Sequence, residues 1–126
     1  DSILGLSEKI LRKSQAISLI EHAAQQGLLA AQKYLADCYR DGHYVRKSKK
    51  RMAEYIAICA QQGDEQSLLR LARCLELGIG IKRNAGKAYE YYKQLGEKGY
   101  EYARKKVFEY EYYGDFGFDR TQLKNL

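Results

Sequence analysis

Three cysteines, two histidines and a handful of serines are the side chains that could supply a nucleophile, a general base or a soft metal ligand in this chain. Their spacing supports none of these roles. Cys38, Cys59 and Cys74 form no Cys-x-x-Cys pair, and His22 and His43 show no ligand spacing, so a zinc site has no framework. The odd cysteine count excludes a complete disulfide framework, and small buried or half-buried thiols are the expectation. No serine sits in a glycine elbow, and the two histidines fall at unrelated positions. Glu109 and Glu111 make a close carboxylate pair of the kind common on solvated helices. Gly78-Ile-Gly-Ile-Lys-Arg superficially matches a phosphate-binding loop, but no strand precedes it and its glycines recur as turns elsewhere. The expectation is therefore a chain with no catalytic residues, no metal site and no cofactor.

Charge offers one sharper feature. Arg46, Lys47, Lys49, Lys50 and Arg51 cluster around Ser48, a run that could bind phosphates or serve as an import signal. The chain carries a net charge of +6 and a pI near 9.2. Elsewhere acids and bases are interspersed, so mild basicity alone says little. Cations in a first helical turn oppose the helix dipole at a cost of about 0.3–1 kcal/mol, which mildly suggests a use. A solvated loop and helix start is the preferred reading, with nucleic acid or an anionic surface as the alternative.

The elements that would position these residues are set by a period. Gly27, Gly63 and Gly99 are spaced by 36 residues, as are Gly42, Gly78 and Gly114, and Leu35, Leu71 and Val107. Ala31, Ser67 and Ala103 form a register of small residues, and Ala23-Ala24 and Cys59-Ala60 are each followed by Gln-Gln-Gly. Several registers sharing one period identify a tandem helical repeat. Zero proline and 45% hydrophobic residues fit a soluble, almost wholly helical chain with a buried core. No apolar run reaches the roughly 18 residues of a membrane span, and the opening residues are not expected to be a signal peptide.

In chain order, Ser7 is expected to cap a leading helix over 7–27, with Ile10, Leu11, Ile17, Ile20, Ala23 and Ala24 inward. Ser14 leaves open whether that is one helix or two. Leu28 to Arg40 forms the next helix, with Ala31, Leu35 and Tyr39 as its apolar stripe. Ser48, Asp64 and Asn84 are the expected caps of helices Lys49–Gln62, Glu65–Leu77 and a helix ending at Lys98. Tyr102 to Tyr113 is the last full helix. The third loop, Gly114 to Arg120, leads to Thr121 as the next cap, after which either the array continues or the tail folds back.

The unit so assembled resembles the Sel-one-like repeat (SLR), a relative of the tetratricopeptide repeat with a Gly-x-Gly-Val loop followed by Asp-x-x-Lys-Ala. Gly78, Gly80, Ile81, Asn84, Lys87 and Ala88 carry the match, which extends over Ala16 to Lys124. Ser48, Asn84 and Thr121 replace the loop aspartate, Tyr44 and Phe116 replace the second loop glycine, and Glu111 stands where Tyr39 and Leu75 are expected to be buried. The resemblance implies an all-α solenoid of about three 36-residue antiparallel helix pairs in one domain, residues 1–126. Its units are about 28–63, 64–99 and a partial 100–126, after the leading helix 7–27.

Such solenoids line a concave surface with the first helix of each unit. By that analogy the partner-binding positions are Lys33, Asp37, Arg40, Leu69, Arg73, Glu76, Lys105, Glu109, Tyr112 and Tyr113. Arg73 is central, with Asp37 and Glu109 expected to orient its guanidinium, and the basic run 46–51 is expected on another face. Mixed charge with tyrosine at one end suits a protein or peptide better than a phosphate rail. The expected function is a non-catalytic adaptor. A bacterial immunity or inhibitor-type protein that sequesters an effector is an alternative, and both cytoplasmic and periplasmic locations stay open.

Overall fold

The computed structural model describes residues 2–114, with side chains from Gly5 onward. Six helices follow in order: α1 Ser2–Gln25, α2 Leu29–Asp41, α3 Lys49–Gln61, α4 Glu65–Leu77, α5 Ala85–Glu97 and α6 Glu101–Tyr113. There is no strand among the described residues. The principal contacts join each helix to its successor, as stacked antiparallel pairs require. The chain is an all-α helical repeat.

Local chemistry explains the helix ends. Ser48, Asp64 and Asn84 each accept a backbone N–H from three residues on (Arg51, Ser67 and Lys87), satisfying a donor that the helix leaves open. Gly42 and Gly78 close α2 and α4 at φ 74° and 71°, and their amides donate to Cys38 and Cys74 carbonyls. Each connecting loop then returns to the helix it left: Ser48 N donates to Tyr39 O at 2.9 Å and Asn84 N to Leu75 O at 2.8 Å. Gly80 adds a second requirement. At φ +72° it lies against the carbonyl of Lys49, which a Cβ there would strike. Its equivalent in the preceding loop, Tyr44, holds φ 65° with its side chain partly exposed.

The core is the period made solid. Leu35, Ala36, Ala72, Ala88, Tyr92, Leu95 and Ala103 are at most 1% exposed, and Leu71 is buried mid-stack. Small residues at Ala36, Ala72 and Ala88 let neighbouring helices approach, and the aromatic rings of Tyr89, Tyr92 and Tyr110 fill the space between α5 and α6.

The leading helix departs from expectation. It begins at Ser2, so Ser7 is interior and caps nothing, and Ser14 causes no break. Ile10 and Leu11, expected inward, are 60% and 58% exposed, whereas Ile17 and Ala24 are buried. Length is the reason. α1 has 24 residues and α2 has 13, or about 36 Å against about 20 Å, so the first half of α1 runs past its partner. Phe116, Thr121 and Lys124 lie outside the described residues.

Candidate partner-binding face

α2, α4 and α6 present one side each to a common face, and ion pairs stitch that face together. Arg40, in the last turn of α2, grips Asp41 with both arms, Nε to Oδ1 and Nη2 to Oδ2 each at 3.0 Å. That fork raises the Arg40 guanidinium pKa and holds the Asp41 carboxyl below its usual range. Asp37 is met by Arg70 Nη2 at 3.1 Å from α4 and by Arg40 Nη1 at 3.5 Å. Asp37 and Glu109 therefore do not orient Arg73. Asp37 is committed to Arg70 and Arg40, and Glu109 lies 3.6 Å from Lys106. Arg73 instead stands over the Tyr102 ring, 6.0 Å from its centroid, and is exposed.

Glu76, expected on the face, is a core residue at 2% exposure. Its carboxylate accepts from Tyr92 Oη of α5 at 3.1 Å and from Tyr110 Oη of α6 at 3.2 Å. Lys106 Nζ pairs with it at 3.2 Å. The last turn of α4 turns this position toward α5 and α6, which close over it. Burial opposes the Lys106 charge, but Glu76, with Tyr102 and Glu109, more than offsets that and raises the pKa. Burial, then the nearby Glu76 charge, pushes the Tyr92 phenol far up, so it stays a neutral donor.

The remaining expected positions divide. Lys33 is half-buried, with Nζ 3.4 Å from Asp64 and 3.2 Å from Gln66 Oε1. Leu69 packs partly against the core. Lys105 is exposed. Tyr112 and Tyr113 are 61% and 69% exposed and share an aromatic cluster with Phe108, whose ring stacks on Tyr112 at 5.1 Å. Glu111, on the same helix, is exposed and accepts from buried Tyr89 at 2.6 Å.

The basic run does not stay on a separate face. Lys47 and Lys49 reach the rim of a groove of about 370 Å³ that Arg40, Arg70 and Arg73 also line, above Met52, Ile56 and Ile79. Arg46 and Lys50 are exposed outside it, and Arg51 lies 4.0 Å from Glu54. Two surfaces that looked distinct thus meet at the gap between α2 and α4. Sequence reasoning passed over Arg70, Lys106 and Phe108. A signal for the first two existed, since they share the 36-residue register and each reaches back to an acid on the preceding first helix.

Buried thiols complete the inventory. Burial raises the pKa of Cys38, Cys59 and Cys74, all free, which keeps them protonated and unreactive near neutral pH. No His, Cys, Asp or Glu cluster suited to a metal ion occurs among the described residues. No helix among them is long and apolar enough to cross a membrane.

Comparisons with known proteins agree with this architecture. Among solved structures, a Sel1 repeat protein from Oxalobacter formigenes superposes with a TM-score of 0.66 at 30% identity, covering 75% of this chain and 71% of that one. The protective antigen c5321 of uropathogenic Escherichia coli, described as displaying an SLR fold, has a TM-score of 0.71 at 23% identity over 85% of this chain and 23% of its own, a likeness of fold. The mouse protein named DAP3-binding cell death enhancer 1 is 33% identical over 117 residues, 90% of this chain and 22% of that protein. The chain spans between 15% and 24% of the length of the curated relatives it matches. The Sel1 repeat profile matches residues 29–64 and 66–100, the two helix pairs α2–α3 and α4–α5. This chain belongs to the Sel1 repeat family.

Proposed function

We propose that the chain is a non-catalytic interaction module that holds a protein or peptide partner on the face of α2, α4 and α6. One observation carries the reading: Arg73, at the middle of that face, is exposed and has no ion-pair partner among the described residues. A guanidinium that serves no internal pair offers its planar fork to a carboxylate from outside. Tyr112 and Tyr113 support the same reading, since exposed tyrosines supply apolar contact area with few torsions to freeze. The mouse relative is by name a binding protein, which is consistent with this role. Asp37, Asp41 and Glu109 on the same face disfavour a phosphate rail.

A random dodecapeptide library displayed on phage and panned against the immobilised chain tests the proposal. Arg73→Glu and Tyr113→Ala should each weaken the selected peptides at least about tenfold, ~1.4 kcal/mol, with little change in melting temperature. Unchanged affinities in both variants would place the contacts on a different surface, and failure to select any peptide would remove the peptide-binding role.

A further inference from the structure

We infer that the groove between α2 and α4 binds an acidic peptide segment in which an apolar side chain is flanked by carboxylates. This rests on the peptide-binding reading above and specifies its chemistry.

Five cationic side chains converge on the groove from separate elements: Arg40 from α2, Lys47 from the loop, Lys49 from α3, and Arg70 and Arg73 from α4. Two carboxylates answer them inside the protein, Asp41 on Arg40 and Asp37 on Arg70. Lys47 is near enough to Asp41 to help hold that carboxyl low, yet Asp41 is already held bidentate by Arg40. Lys47, Lys49 and Arg73 make no ion pair among the described residues, so three cationic heads surround the groove in excess of its acids. Like charges gathered at close range repel, and a ligand that brings carboxylates relieves that repulsion. Lys49 and Lys50 also open α3, where a cation opposes the helix dipole, and an anion on the rim removes that penalty too.

The floor says what lies between the carboxylates. Met52, Ile56 and Ile79 line it, with Met52 and Ile56 almost fully buried beneath the rim. Ile79 is only partly buried, so a purely ionic ligand leaves its apolar surface in the groove wet, whereas a leucine-sized side chain packed against it removes that surface from water. Nucleic acid fits poorly. Its phosphates need cations in a row, and here Asp41 on Arg40 and Asp37 on Arg70 interrupt the run.

Fluorescein-labelled Asp-Glu-Leu-Glu-Asp with Gly-Ser flanks, followed by anisotropy at moderate salt, is the probe. Its comparators are the amide analogue Asn-Gln-Leu-Gln-Asn, the serine analogue Asp-Glu-Ser-Glu-Asp, and a labelled twelve-nucleotide oligothymidylate. The acidic leucine peptide should bind at least about tenfold tighter than each comparator, a difference of ~1.4 kcal/mol. That preference should disappear in Lys49→Glu and Arg73→Glu and persist in Lys93→Glu, an exposed position on α5 outside the groove. Peptides selected on phage should likewise be enriched in Asp and Glu around Leu, Ile or Met. Equal binding of the serine analogue overturns the role of the floor, and equal binding of the oligonucleotide overturns the peptide in favour of phosphate chemistry. Peptides selected without acidic enrichment overturn this inference while the interaction face stands. A library that yields no binders overturns both.

Discussion

Replacing Glu76 by alanine separates a core acid from a contact residue. The structure puts its carboxylate at 2% exposure, accepting from Tyr92 and Tyr110 and paired with Lys106 at 3.2 Å, so one side chain ties α4 to both following helices. Removing one partner of a buried ion pair costs about 3–5 kcal/mol, and the loss here falls toward the lower end because Lys106 is 18% exposed and keeps Glu109 at 3.6 Å. The Tyr92 hydroxyl, 0% exposed, loses its hydrogen bond in the same step. Glu76→Gln keeps an acceptor of the same size but no charge, and should cost an intermediate ~1–3 kcal/mol. Glu76→Leu combined with Lys106→Met should recover part of the loss, because the stranded ammonium is gone while the tyrosine hydroxyl remains unanswered. Urea titration followed by far-UV circular dichroism reads these values. With a slope of about 2 kcal/mol/M, the alanine variant shifts the midpoint by roughly 2 M. Amide exchange should place the weakening on α4 to α6, since a repeat stack transmits it through neighbouring contacts. A loss under about 0.5 kcal/mol, the range of a solvent-facing position, would refute the buried assignment.

Three further outcomes follow from the same geometry. Gly80→Ala combines a left-handed φ of 72° with a Cβ directed at the Lys49 carbonyl, so it should lose more than the ~1–2 kcal/mol of the backbone conformation alone; thermal melts that match wild type would contradict the close approach. The Asp64 carboxyl is held below the ordinary aspartate range, first by the Ser67 hydroxyl at 2.5 Å. A depressed folded pKa contributes stability fully present above about pH 3.8 and lost as pH falls through the folded value. Asp64→Ala should thus cost ~1 kcal/mol at neutral pH, with the gap to wild type closing in acid; a pH-independent gap in melting temperature would remove the charged cap from the explanation. Burial and raised pKa values should make Cys38, Cys59 and Cys74 far slower to alkylate with iodoacetamide in the native chain than in urea, read by mass spectrometry; equal rates would mean the thiols are accessible.

The helices were legible because their signals are local. Ser48, Asp64 and Asn84 cap within one turn of themselves, and Gly42 and Gly78 close their helices through their own φ angles. The shared 36-residue registers therefore announced the repeat and its helix ends, with α4 at Glu65–Leu77 and the ends expected for α2, α3, α5 and α6 met within a residue. α1 was read less well, because its cap position at Ser7 matched a local rule that a longer helix overrode.

The face was only half legible. Arg73, Tyr112 and Tyr113 are exposed as their phase implied, whereas Glu76, one turn from Arg73, is sealed by side chains 16 and 34 residues away. Asp37 was assigned to Arg73 by register and is taken by Arg70, a cation three positions earlier on α4 whose guanidinium reaches it at 3.1 Å. Lys47 and Lys49 were separated from Arg40 and Arg73 in sequence and share a groove with them in space. By itself the sequence determined the repeat, its period, its caps and the residues able to be buried, because those follow from backbone chemistry within a turn. Tertiary structure alone decided which charge meets which, because that depends on helix rotation and side-chain reach across neighbours, quantities no single register encodes.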